Sequence, residues 1–222
     1  MKRSTSFATF LVTFLLAACS SAMRHAQSAP APASAGGGPA SGVINRPVSQ
    51  ADINFMSGMI PHHAQAVLIA GWAPSHGARL DVRTLCERIV VAQKDEIALM
   101  QTWLRDHHQS VPAADATRMK MVMNGVEHDM LMPGMLNDEE LAQLDRARGP
   151  DFDRLFLQAM IKHHQGALQM VDELFNSYGA AQDEVVFRFG SDVYADQSTE
   201  IARMEKMLAA PGAQSRTAPP LN

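Results

Sequence analysis

Between residues 51 and 210 apolar positions recur at intervals of three and four, the spacing of one helix face. Phe55, Met59, His62, Ala66 and Ile69 share one such stripe, and Phe156, Met160, His163, Ala167 and Met170 share another. Gln93, Ile97, Met100 and Leu104 form a third, and Gln197, Ile201, Met204 and Leu208 a fourth. Turn residues separate the stripes in pairs. Gly71, Pro74 and Gly77 follow the first stripe and Gly179 follows the second. Four amphipathic helices joined in pairs by short turns predict an all-α four-helix bundle made of two tandem helical hairpins. The segment from about His107 to Pro150 then becomes a long crossover, with a short helix expected over Asp138–Arg146. Asp52 and Asp153 suit N-caps or first-turn positions, where a carboxylate meets free N–H groups and the positive end of the helix dipole. Pro61 removes an N–H inside the first helix and crowds the carbonyl of Ser57, which predicts a kink there.

The stripes belong to an internal repeat. Residues 52–66, DINFMSGMIPHHAQA, align with residues 153–167, DRLFLQAMIKHHQGA. Asp, Phe, Met, Ile, both His and the final Ala recur in register. Residues 93–100, QKDEIALM, match residues 197–204, QSTEIARM, in the same order. Two matched pairs in one order mean that a helix–turn–helix unit is used twice.

The flanks read differently. Lys2 and Arg3 precede an apolar run from Phe7 to Ala18, too short to span a bilayer and typical of a secretory leader. The run ends in Leu16-Ala17-Ala18-Cys19, which is similar to a bacterial lipoprotein signal, so Cys19 is the expected lipidated residue. The expected organisation is a signal peptide over residues 1–18, a flexible Ala/Pro/Ser/Gly tether over 19–50, the helical domain over 51–210 and a disordered tail over 211–222. This predicts a periplasmic protein held to the membrane through its N-terminal lipid alone. Ser20 after the cysteine favours the outer membrane. Net charge is −4. Losing Lys2 and Arg3 with the leader leaves 17 basic against 23 acidic residues. With no basic stripe, nucleic acid is excluded as a partner. If Cys19 is acylated, Cys86 is the one remaining thiol and no internal disulfide forms. Its neighbours Leu85, Ile89 and Val90 predict a buried, inert thiol.

The composition gains meaning from position. There are 15 Met and 9 His. Met59 precedes His62 and His63 by three and four residues, and Met160 precedes His163 and His164 in the same way, so each trio clusters on one side of its helix. A pseudo-twofold packing of the hairpins would bring the two clusters together. The plain alternative is that these are hydrogen-bonded core residues, with Gln93 and Gln197 as partners for the imidazoles. A di-iron bundle wants Glu three residues before each inward His. Here Met stands in both places, and Glu96 and Glu200 fall one residue off their stripes. Thioether with imidazole suits copper, Cu(I) above all. Zinc could take the imidazoles but rarely recruits Met. The crossover adds Met119, Met121, Met123, His128, Met130, Met132 and Met135, an alternation read as a pliable thioether loop or as a Met-rich strand packed on the bundle. His107 and His108 suit the C-terminal end of the second helix. The sequence contains no nucleophile triad, phosphate-binding loop or haem-attachment motif.

The doubled MIPHH and MIKHH segments, the QxxEIxxM elements and the MPGM turn closely resemble the domain of unknown function 305 family, over about residues 51–209. The resemblance implies a ferritin-like fold and, for some members, similarity to periplasmic copper-binding proteins. Carried over, it assigns metal ligation to Met59, His62, His63, Met160, His163 and His164, with Met130, Met132 and Met135 as a second set. Ile69 stands where the family often has Met, so the two copies need not be equivalent. The expected function is envelope copper sequestration or relay by a binding protein with no turnover. A copper exporter or a multicopper oxidase would be a sensible recipient. Two other readings stay open: a metal-dependent oxidoreductase, which needs Glu96 and Glu200 to reach the histidines, and an interaction module of the envelope.

Overall fold

A computed structural model describes residues 48–123 and 125–210. The leader, Cys19, the tether up to residue 47 and the tail beyond Ala210 lie outside these residues. Helix α1 spans Gln50–Ala70, α2 Leu80–Asp106, α3 Asp138–Arg146, α4 Pro150–Asn176 and α5 Glu184–Ala209. Strands β1 and β2 span Met119–Met123 and Val126–Met130.

Helix starts follow the local chemistry. Ser49 caps α1 and Asp52 closes a capping box by accepting from the Ser49 N–H, so Asp52 sits in the first turn and not at the cap. Asn137 and Glu140 form the same box on α3, over the predicted span. Asp183 caps α5. Pro150 opens α4 at the position where a missing N–H costs nothing. Helix α1 runs without interruption through Pro61.

The two hairpins, α1–α2 and α4–α5, meet along α1 and α4. Each lends its first-turn aspartate to the other's turn. Asp52 accepts from the N–H of Ala181, between α4 and α5, at 2.7 Å. Asp153 accepts from the N–H of Arg79, between α1 and α2, at 3.2 Å. These reciprocal bonds fix α1 and α4 as antiparallel neighbours in a pseudo-twofold arrangement. Burial pushes the Asp153 carboxyl above the usual range. The apolar core falls into two clusters. One joins Ala66, Ile69, Phe152, Phe156, Met160 and Met204 with the start of α2. The other joins Phe55, Met59, Met100, Met170 and Phe189.

Of the two readings of the crossover, the strand is the one that forms. Strands β1 and β2 make an antiparallel ribbon pairing Met119 with Met130 and Met121 with His128. The alternation is here the period of a strand. The ribbon turns at Gly125, whose φ of +79° suits a hairpin, and the sequence Asn124-Gly125 is a strong hairpin signal. Among the described residues no helix is long and apolar enough to cross a membrane.

Candidate metal centre

Four histidines lie between the two apolar clusters. His62, His63, His163 and His164 are all fully buried. The rings of His62 and His163, from opposite hairpins, approach to 3.8 Å between centroids. His62 and His63 are 6.3 Å apart, as are His163 and His164. The two repeated clusters therefore meet, as pseudo-twofold packing of the hairpins requires. Met59 and Met160, the thioethers one turn earlier on the same helices, are also fully buried, as are Met56, Met100 and Met204.

The outer rings meet carboxylates. His164 Nε2 donates to Glu200 Oε2 at 2.7 Å. His63 Nε2 stands 2.7 Å from Glu96 Oε2, within ion-pair distance but without hydrogen-bond alignment. This corrects the expectation that Gln93 and Gln197 would serve the imidazoles. Both glutamines are buried, and their amide oxygens have no hydrogen-bond partner. Glu96 and Glu200, one position off the apolar stripe and partly exposed, meet the rings from the rim.

His62 is treated differently from its repeat counterpart. Its Nε2 donates to the carbonyl of Pro133 at 3.0 Å. The Met132–Met135 turn is pressed against α4 backbone to backbone. A Cβ on Gly166 would lie 1.9 Å from Pro133 O, and one on Gly134, at φ +77°, would lie 2.5 Å from Lys162 O. Gln65 completes the attachment, donating to Leu136 O at 2.9 Å and accepting from Leu136 N–H at 2.7 Å. His163 meets no carbonyl of the crossover, which exists once while the histidine pair occurs twice; the backbone of His62 is the acceptor that acts on the His163 ring. Neither ring nitrogen of His163 makes an aligned hydrogen bond, and Nδ1 of His62, His63 and His164 makes none either.

Burial, then repulsion from His63, pushes His62 down to about 3 despite the Pro133 carbonyl. Burial and the neighbouring rings hold His163 well below its ordinary value. At neutral pH both are uncharged and carry a lone pair. Buried polar atoms without partners are costly, and a bound cation would satisfy them. Neutral imidazole with thioether is a donor set suited to a soft cation. Among the described residues no group of three or more His, Cys, Asp or Glu stands ready to hold an ion. Thioethers fall outside that set, and Met59 and Met160 are buried one turn before the histidines on α1 and α4.

The exposed crossover candidates His128 and Met130 are not brought to this layer. Met119, Met121 and Met123 fall in β1, while His128 and Met130 in β2 are exposed. Met132 lines a cleft of about 180 Å³ with Phe55 and Met170. Met135 is buried, its sulfur accepting from the Met132 N–H. His107 caps α2, with Nδ1 2.8 Å from Trp103 O. Cys86 is buried, its thiol pushed up to about 12 by desolvation. His76, which carried no sequence signal, is a satisfied buried histidine bonded to Asp145 and Ser75. Glu96 and Glu200 were visible as repeated residues. Pro133 O and Gln65 were not, since nothing local marks a contact across the crossover.

Fold and site define the class: a mostly helical protein of paired hairpins with four buried histidines between its two apolar clusters. Residues 52–208 match the family model described as Domain of unknown function (DUF305), and the chain belongs to that family. No curated protein matches it. Among solved structures it is similar to a DUF305 protein of Streptomyces coelicolor, named as a candidate secreted protein. The TM-score is 0.61 and identity 27%, over 76% of this chain and 98% of that one. A DUF305 fragment from Deinococcus radiodurans gives 0.60 and 25%, over 74% and 99%. CopM in its Cu(I)-bound form gives 0.55 and 26%, over 71% and 95%. CopM structures in Cu(II)-bound, silver-bound and apo forms are similar as well.

Proposed function

We propose that this protein binds copper, as Cu(I), in the buried histidine layer, and that it sequesters or relays copper in the cell envelope without turning over a substrate. The observation that carries the proposal is the set of four fully buried imidazoles whose Nδ1 atoms all lack partners, two of them held neutral by burial, with Met59 and Met160 buried one turn away on the same helices. A cation would turn the cost of those nitrogens into coordination. The likeness to CopM, solved with Cu(I), Cu(II) and silver, supports a soft monovalent or copper cargo. Zinc is the competitor to test beside it.

Export follows from the leader and its Leu-Ala-Ala-Cys end, with Cys19 as lipid anchor, and the secreted assignment of the Streptomyces relative agrees. The exposed ribbon, where Met119 pairs with Met130 and His128 lies two residues on, is a second and separate thioether–imidazole set. A copper exporter or multicopper oxidase is the class of recipient such a carrier would serve. One observation favours the oxidoreductase reading: Glu96 and Glu200 do reach histidines. Each, however, faces an Nε2 at the rim, where it orients a ring and leaves no open carboxylate in the core.

Competition for Cu(I) against a chelator of known affinity tests the proposal, with Zn(II) in parallel. Tight Cu(I) binding is expected, weakened by at least about tenfold on replacing His163 and His164 with Ala, about 1.4 kcal/mol or more. Binding unchanged by that pair of substitutions would sink the assignment.

A further inference from the structure

The three histidines with a neighbour at Nε2 share one arrangement. His62 Nε2 faces Pro133 O, His164 Nε2 faces Glu200 and His63 Nε2 faces Glu96. In all three the Nδ1 atom is buried and faces no partner. A backbone carbonyl can only accept, so the His62 contact at 3.0 Å requires a proton on Nε2. The Glu200 carboxylate sets the same requirement on His164. A proton on any of the three Nδ1 atoms would have no acceptor in a dry core, whereas a lone pair there can take a cation. Histidine ligands of metals commonly donate their far ring N–H to a carboxylate or carbonyl, which fixes tautomer and ring angle.

We infer that Pro133 O and Glu200 hold His62 and His164 as Nε2–H tautomers, so that Nδ1 is the atom these rings offer to a soft cation. Glu200 is a positioning residue: it touches the ring and not the ion. The ligand half of this inference rests on the copper reading above, while the tautomer half stands on the metal-free protein alone. It also separates the two repeats. Neither ring nitrogen of His163 makes an aligned hydrogen bond, with only the His62 backbone acting on the ring, so no bond to the crossover fixes which of its atoms ligates. The duplicated sequence therefore yields an asymmetric site, because the single crossover locks one of the two inner rings and not the other.

Long-range proton–nitrogen correlation spectra of the nitrogen-15-labelled, metal-free protein read each tautomer directly. His62 and His164 are expected to show protonated Nε2 and unprotonated Nδ1. Added Ag(I), a redox-inert probe of Cu(I) sites, should move the Nδ1 resonances and leave the Nε2 protons in place. Glu200→Ala should mix the His164 tautomers and weaken Ag(I) binding by about 10–100-fold. Glu200→Gln, whose amide oxygen can still accept, should restore much of both and guards against a variant that fails to fold. A proton on Nδ1 of His62 or His164 in the metal-free protein would overturn the inference. So would Ag(I) binding that moves Nε2 in place of Nδ1. The expected tautomers with no response to Ag(I) at any ring nitrogen would overturn the copper reading, and the ligand half with it.

Discussion

A histidine sealed from water binds its proton poorly, and the size of that effect sets how the metal-free protein responds to acid. His62 titrates near 3 in the folded chain, against an ordinary value of 6.5, and His163 is lowered in the same direction. Below about 6.5 the unfolded chain takes up protons at these residues that the folded chain refuses. Stability contributed by their neutral forms is therefore constant above the ordinary value and is lost progressively as pH falls toward 3. For His62 alone the loss is on the order of several kcal/mol by the bottom of that window. Urea midpoints measured on metal-free protein should fall clearly between about pH 7 and about pH 4, and a bound soft cation should reduce the fall. Equal midpoints at the two pH values would contradict the burial of these rings. The histidines themselves were legible in the sequence, because a doubled Met-Ile-x-His-His cannot be missed. Their partners were not. A stripe of Gln, Ile, Met and Leu points Gln93 and Gln197 inward, and helix periodicity says nothing about how far a glutamate one position away can reach across to a facing helix. The inertness of Cys86 was legible, since apolar neighbours predict the burial that raises its thiol.

The elements show the same division between local and long-range information. Helices α1, α2, α4 and α5, and the short α3, follow from periodicity, capping residues and turn glycines. The ribbon follows only as one of two readings, because alternating methionines fit the period of a strand and a loop of sulfur donors equally well. The Met132–Met135 turn carried a signal of a different kind. Its methionines suggested ligands, yet its most consequential contacts are made by backbone. Pro133 supplies the carbonyl for His62, and Gly134 and Gly166 permit the close approach that holds it there. Gly166→Ala would place a Cβ 1.9 Å from Pro133 O, so the turn must move off α4. The expected cost is about 1–3 kcal/mol, read as a lower thermal midpoint. A variant as stable as the parent would show that this approach is not what seats the turn. In the repeat, Gly166 aligns with Gln65, which binds the same crossover through its side chain at Leu136. Equivalent positions of the two hairpins thus grip one segment in two ways, one by absence of a side chain and the other by its amide.

At the scale of the molecule, the polar layer is the feature that needs an explanation. Two apolar clusters would pack into one continuous core if the histidines and Gln93 and Gln197 were aliphatic, and each buried nitrogen or oxygen without a partner weakens the metal-free fold. The reciprocal bonds of Asp52 and Asp153 hold the hairpins so that this layer forms between α1 and α4, with the carboxylates of Glu96 and Glu200 at its two ends. A bound soft cation would resolve the cost, which makes the location of copper the central claim. Anomalous diffraction at the copper edge, from crystals loaded with Cu(I) under reducing conditions, locates it directly. The account predicts a peak inside the layer, within coordination distance of His62 or His163 nitrogen. Copper found only on the exposed ribbon or at other surface residues, with the layer empty, would contradict it.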